Sequence, residues 1–483
     1  MKREESAAFA ELEAIFHPRS IAVAGASANA ISQGHEYVRC LLDFGYRGSI
    51  YPINPNLDEV LGVKAYPSLL EVPGPVDYVI SCIPAAGVLK LADDCARKGV
   101  KAIHFFTARF SETGRQEAAV LEEELKRRAR RAGIRIIGPN CMGLYYPKEG
   151  ISFRPELAKE AGPIGFLSQS GGNAVEFCYH GSLWGLRFSK VISYGNGLDL
   201  NEVDFLDYFA RDEETRVIAA YVEGVSDGRR FLAALKRAAA RKPVIIVKGG
   251  RTAAGTQAAA SHTAALAGAQ QVWRAAVRQA GALEVSTLED LIDMLLAFVF
   301  LPPATGLRVG VVGGGGGRMV QSADLCEEAG LSVPPLPGEM REELRQRAPE
   351  VWDWVINPAD QSILAGTPVS GMDILEMMAG RPEFDLLIGN VGEDWILELP
   401  IGPQLVQHVV ERFIQIGGRT PKPMAVVLGP ADSPEERRWR AVMEAHQKLA
   451  SAGLPVYPNI ERAARAMGAF VRYHRERQEK GPA

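Results

Sequence analysis

Three times along this chain a short, largely apolar run breaks off into glycine, serine and other small residues, and a helical pattern follows. Ile21 to Ala24 leads into Gly25-Ala26-Ser27, Ile164 to Leu167 into Ser168-Gln169-Ser170-Gly171-Gly172-Asn173, and Leu307 to Val312 into Gly313-Gly314-Gly315-Gly316-Gly317-Arg318. Short apolar runs bounded by small residues read as strands buried on both faces, the condition of a parallel sheet with helices on either side. The chain is thereby confined to an α/β fold of repeated strand–loop–helix units.

Further strands are predicted at Ser49 to Ile53, Tyr78 to Ile83, Ala102 to Phe106 and Ile134 to Ile137, closing a Rossmann-like unit near Asn140, with its first helix running from just after Ser27 to about Phe44. A Pro- and Gly-bearing linker, Tyr146 to Pro163, precedes the second unit. Its helix is predicted over Ala174 to Trp184, with strands at Val217 to Val222 and Val244 to Val247. Strands at Leu386 to Asn390 and Met424 to Leu428, with helices near Gln404 to Ile416 and Pro434 to Ser451, give the third unit a flavodoxin-like pattern. With 483 residues and 47% hydrophobic composition, the chain can bury several cores. The expected division is 1–145, Rossmann-like; 146–302 and 303–470, both flavodoxin-like doubly wound parallel sheets; and 471–483, a charged tail with a frayed helix at Arg472 to Lys480.

The totals exclude some function classes. A formal net charge of -4, from 54 basic and 58 acidic residues, leaves no electrostatic footprint for nucleic acid. Phe9, Leu12, Ile15 and Phe16 recur at helical spacing behind charged residues, which reads as a soluble amphipathic helix and not a secretory signal. No stretch approaches a membrane span. The cysteines Cys40, Cys82, Cys95, Cys141, Cys178 and Cys326 lack the CxxC spacing of a zinc or redox site, so no metal is expected and reduced thiols point to the cytoplasm.

In a doubly wound unit the loop after the first strand meets ligands at the carboxyl edge of the sheet, where a helix start offers N–H groups to phosphate. The first loop therefore suggests a nucleotide ligand. Gly25-Ala26-Ser27 with Gly34 does not complete G-x-G-x-x-G, however, and the second strand ends in Ile53-Asn54-Pro55-Asn56 without a ribose-binding acid, so a ligand-free tight turn stays open. Ser168 to Gly172 makes a second anion site plausible, the alternative being a simple serine cap. The glycine run at 313–317 fits a tight turn or an interface as well as a ligand contact.

Of eight histidines, His262 alone lies in a small-residue loop, Ala260 to Gly268, that follows a predicted parallel strand and precedes a helix beginning near Ala269. Taken singly, a loop histidine is a surface or capping residue, and Glu223 an ordinary turn acid. Placed together at one sheet edge they suggest more: a neutral imidazole can attack phosphorus if a carboxylate such as Glu223 takes its other ring N–H, and the helix start after Ser168 and Ser170 supplies donors to the phosphoryl oxygens. That combination predicts phosphoryl transfer through a histidine intermediate.

These segments, with Gly138-Pro139-Asn140-Cys141-Met142-Gly143, Gly195-Asn196 and Asp199, Pro52-Ile53-Asn54-Pro55 and Asn357-Pro358, resemble in order the α subunit of NDP-forming acyl-CoA synthetases, the ADP-forming acetyl-CoA synthetase family related to succinyl-CoA synthetase. The resemblance implies a CoA-binding first unit, with Gly25, Ser27, Asn54, Pro55, Ile83, Pro84 and Asn140 at the CoA site. It makes His262 the phosphorylated residue, Glu223 its partner, and Ser168, Ser170, Gly171 and Gly172 one of two helix ends facing the phosphate. It also implies that acyl-CoA, ADP and phosphate are interconverted with acid, ATP and CoA through acyl phosphate and phosphohistidine. ATP/ADP with Mg would be bound mainly by a separate ATP-grasp β subunit, in an α2β2 assembly.

The sequence departs from the family pattern at Ala264, in the absence of proline and lysine from Ala28 to His35, and at Arg109, where glycine is frequent. The acyl pocket is expected near Val175 and Phe177, without a diagnostic charge. The rival readings are a non-catalytic CoA-binding regulator or scaffold, and a CoA-linked acyltransferase independent of ATP.

Overall fold

The structure, a computed structural model, describes residues 2–257, 270–430 and 433–480. Two compact units divide it, Met1–Leu291 and Ile292–Ala483. The first unit opens with β1 (Ser20–Ala24), β2 (Ser49–Ile53), a small antiparallel pair β3 (Glu59–Val60) and β4 (Val63–Lys64), then β5 (Tyr78–Ser81), β6 (Ala102–Phe105) and β7 (Arg135–Ile137). Five of these make a parallel sheet in the order β2-β1-β5-β6-β7. Its strands β1, β5 and β6 are buried throughout, as their unbroken apolar character requires. Strand order reverses between β1 and β5, so the crevice at their carboxyl ends is where such a sheet takes a ligand.

The helix after β1 is Gln33–Asp43, not a continuation from Ser27. Ser27 Oγ accepts the Asn29 N–H at 3.1 Å and Asn29 Oδ1 accepts that of Ile31 at 3.2 Å. Short polar side chains thus take the backbone donors a helix would have used, and Ser32 caps the helix that starts after them.

A second sheet in the same unit is built from β8 (Gly143–Tyr145), β9 (Ala161–Ser168), β10 (Phe188–Ser193), β11 (Val217–Val222), β12 (Val244–Lys248) and β13 (Leu283–Val285), ordered β13-β12-β11-β9-β10-β8. All are parallel except β8, which adds an antiparallel edge on β10. Here too a helix start differs from the expected one: Gly171–Leu183 begins three residues before Ala174, because the Ser170 hydroxyl caps it by accepting the Asn173 N–H. Gly171, Gly172 and Asn173 therefore form the first helical turn, and their N–H groups face the carboxyl edge of the sheet.

In the second unit β14 (Val309–Val312), β15 (Leu386–Asn390), β16 (Met424–Val427) and β17 (Val456–Tyr457) form a parallel sheet in that order. Two isolated parallel bridges, Arg308 to Ser332 and Val312 to Ala359, flank β14. Gly313 and Gly314, at φ +106° and +93°, turn the chain from β14 into the helix Gly316–Glu328, a conformation that side-chain-bearing residues resist. The last helix, Ile460–Lys480, continues through the charged 472–480 stretch and buries Val471 and Tyr473. The six cysteines are unpaired. Among the described residues no helix is long and apolar enough to cross a membrane.

Candidate active site

The three inner strands of the second sheet deliver its chemistry to one edge. In the β12-β11-β9 order, Ser168 ends β9 and pairs with Tyr221, while Lys248 ends β12 and pairs with Val222. The Ser168–Gly172 loop, the Glu223-Gly224 turn and Gly249 consequently emerge side by side. Ser168 and Ser170 are buried, and Ser168 Oγ donates to the Ser170 carbonyl at 2.7 Å, which holds the loop that caps the helix. Gly172 is open: a Cβ there would meet nothing within 4 Å.

Glu223 is 5% exposed. Its backbone is held by residues that the sequence reading left without a role. Gln169 Oε1 accepts the N–H groups of both Glu223 and Gly224, at 2.7 and 3.1 Å. Lys248 Nζ donates to the Glu223 and Gly249 carbonyls. Burial first, then the neighbouring Glu223 carboxylate, push the Tyr221 phenol up to about 12, with Asn173 in the first helical turn opposing. Gly249 lies so close that a Cβ would stand 2.6 Å from the Tyr221 hydroxyl and 3.0 Å from Glu223 Cγ. Beyond it Thr252 starts a helical turn, its Oγ1 accepting the Gly255 N–H at 3.1 Å. His262, with Ala260 to Gly268 around it, lies outside the described residues.

The other predicted residues fall into two groups. Gly25, Ser27, Asn54, Pro55, Ile83 and Pro84 gather at the carboxyl ends of β1, β2 and β5. Gly25 has φ +83° and would press a Cβ against the Cys82 backbone at 3.0 Å. Asn54 Nδ2 donates to the Ala26 carbonyl at 2.7 Å, stitching the second loop to the first. Pro55 and Pro84 are exposed at the rim. Arg109, also exposed, takes φ +77°, and its N–H meets Glu112.

Asn140 belongs to the second group, in a cleft of about 770 Å³ lined by Phe106, Asn140, Cys141 and Met142 on one side and by Gly171, Gly172, Val175 and Tyr179 on the other. The edge of the first sheet thus faces the helix start of the second. Thr107 joins the two groups, with Oγ1 donating to the Ile83 carbonyl at 2.8 Å and its own carbonyl accepting the Asn140 N–H at 3.0 Å. Phe177 is not a wall of this cleft. It is fully buried, with its ring 4.3 Å from that of Phe166 and 5.7 Å from that of Phe188, because the helix turns it inward while Val175 faces out.

The segment carrying Asn140 is pinned by His104, whose Nε2 lies 3.1 Å from the Cys141 carbonyl. Burial holds this imidazole down at about 4, with that hydrogen bond opposing. The unfolded chain, with an ordinary value near 6.5, takes up the proton first as pH falls, so this contribution to stability is lost from about pH 6.5 downward. Glu202, raised by burial to about 7, changes in the opposite direction. A comparison with His104→Phe isolates the histidine: between pH 7 and pH 5 the parent should lose about 2 kcal/mol more in urea unfolding than the variant does. Parallel losses would exclude His104.

Residues 161–298 match the family described as succinyl-CoA ligase like flavodoxin domain, and residues 19–147 the one described as CoA binding domain. The α subunit of acetate–CoA ligase (ADP-forming) I of Pyrococcus furiosus is 33% identical over 96% of this chain and 97% of its own. The chain belongs to the ADP-forming acetate–CoA ligase family.

A solved member of this ligase family, the dinucleotide-forming acetyl-coenzyme A synthetase 1 of Ca. Korarchaeum cryptofilum in complex with phosphate and ADP, is 33% identical, with a TM-score of 0.79 over 98% of this chain and 99% of that one. Acetate–CoA ligase (ADP-forming) I of Archaeoglobus fulgidus, 38% identical over 72% of this chain, is matched over 50% of its own length. Family membership accords with the CoA and acyl-CoA ligase expectations drawn from the motifs.

Proposed function

We propose that this chain is the α subunit of an acyl-CoA synthetase that works through a phosphohistidine at His262, with Glu223 as its partner and Ser168 to Gly172 as the phosphate site. The observation that carries this reading is the meeting, at adjacent strand ends, of a capped helix start, a buried glutamate and the root of the His262 segment. In the first step phosphate oxygen attacks the thioester carbonyl, giving acyl phosphate and releasing CoA as thiolate. A neutral His262 nitrogen then attacks phosphorus; the bond from phosphorus to the acyl oxygen breaks, and its electron pair leaves on the carboxylate. Glu223 accepts the other ring N–H and balances the charge that develops. The N–H groups of Gly171 and Gly172, at the positive end of a helix, stabilise the equatorial oxygens. ADP finally takes the phosphoryl group from histidine.

The CoA end belongs to Gly25, Ser27, Asn54, Pro55, Ile83 and Pro84, with Asn140 in the cleft that leads to the phosphate site. Nucleotide and magnesium belong mainly to an ATP-grasp β subunit in an α2β2 assembly. Support for a second module comes from the relatives: some are α subunits of this length, while in the A. fulgidus single chain the matched part is half.

The complex with its β subunit, given labelled ATP and magnesium, should acquire an acid-labile, alkali-stable phosphate on this chain. Glu223→Gln should slow that labelling by about a hundredfold, the scale of one transition-state contact, while CoA binding stays within twofold. Labelling at the parent rate would remove Glu223 from its role.

A further inference from the structure

Lys248 is a buried cation with no place in the chemistry above. It is 3% exposed, at the end of an otherwise apolar strand, where a lysine is costly to bury. Its partners are chosen in an unusual way. Nζ donates to two backbone carbonyls, those of Glu223 and Gly249, and stands 5.6 Å from the centre of the Trp273 ring. Burial holds its ammonium below the ordinary lysine range, with the charges of Glu223 and Glu284 opposing.

The three contacts have one thing in common. Gly249 opens the stretch that leads to His262, and Trp273 stands in the first turn of the helix Gln270–Ala280 that follows it. Trp273 is itself fixed, 8% exposed and stacked on Phe231 at 5.3 Å between ring centres. One ammonium thus touches both roots of the His262 segment and the backbone of the glutamate proposed to meet that histidine. On the other face of the same turn, Gln169 takes the Glu223 and Gly224 N–H groups. The Glu223 peptide is gripped from both sides, and Lys248 also grips the first residue of the stretch that leads to the histidine.

We propose that Lys248 is a positioning residue that registers the roots of the His262 segment against Glu223, so that the imidazole meets the carboxylate in a reactive geometry. This rests on the phosphohistidine reading. A lysine suits the task because three donors on a flexible stem can reach two carbonyls while the cation rests on an aromatic face. Methionine at 248 would fill the same volume and lose every donor.

The test is a double-mutant cycle in the intact complex, reading the rate of phosphate labelling from ATP and, in the same preparations, the dissociation constant for CoA. Lys248→Met should slow labelling tenfold or more, with CoA binding and the melting temperature close to the parent's. Lys248→Gln, which keeps an amide donor, should recover part of that loss. If Lys248 acts through Glu223, then Lys248→Met combined with Glu223→Gln should be little slower than Glu223→Gln alone, whereas residues that act independently multiply their effects. Multiplied effects, or labelling by Lys248→Met at the parent rate, overturn the inference. If Lys248→Met also loses CoA binding, the Lys248→Gln cycle is read in its place, by the same criterion. Failure of the parent complex to label would overturn the phosphohistidine reading itself and leave a different signature from failure of the lysine alone.

Discussion

The His262→Asn complex, given labelled ATP and magnesium beside its β subunit, is expected to take up no phosphate on this chain. Asparagine keeps a polar side chain of similar reach and tolerates the same loop conformations, but its amide nitrogen has no free electron pair for attack on phosphorus. The loss should exceed about a thousandfold, the scale of removing a nucleophile that forms a covalent intermediate. Acyl-CoA synthesis should fall with it, because the acyl phosphate then has no route to the nucleotide. CoA binding should survive, since the residues proposed for it stand on the first sheet. Labelling of the asparagine variant at the parent level would sink the mechanism; labelling of neither protein would point to the regulator or the acyltransferase.

The second large effect is expected at Gly34. A Cβ at this position would stand 2.1 Å from the Gly25 carbonyl oxygen and 3.1 Å from Ala26 Cα. Both obstacles are backbone, so neither can swing aside as a side-chain tip would. The first turn of Gln33–Asp43 must move off the loop after β1, dislodging the cap at Ser32 and the 3.0 Å contact of His35 Nδ1 with the Ser27 carbonyl. Overpacking of this kind costs about 3 kcal/mol. Gly34→Ala should therefore melt earlier and bind CoA at least tenfold more weakly, as seen by calorimetry. Unchanged CoA affinity would mean that the loop after β1 does not shape the CoA site.

Much of this arrangement is legible in the residues. Buried parallel strands announce themselves as apolar runs, and small-residue loops after them mark the carboxyl edges, so the Ser168 loop, Glu223 and the loop of His262 are each placed after a parallel strand before any coordinates. Helix starts are less legible. Ser170 and Ser32 each decide where a helix begins, but a serine in a polar loop looks the same whether it caps a helix or only turns the chain. Phe177 shows a further limit: apolar residues on one helix serve the core or a cleft according to which face the helix turns inward, and Val175, two residues away, faces the other way.

The α/β fold and the order of its strand–loop–helix units were determined by sequence alone, because strand periodicity and loop composition are local properties, and the proposal of His262 as the reactive residue starts from the same local signals. The family motifs supply the chemistry in the same way. Tertiary structure decided what holds the site in place. Gln169 is 54 residues from Glu223, and Lys248 is 25. Nothing in either neighbourhood announces a partner, since a hydrogen bond between distant residues exists only once parallel strands have been laid side by side in the order β12-β11-β9.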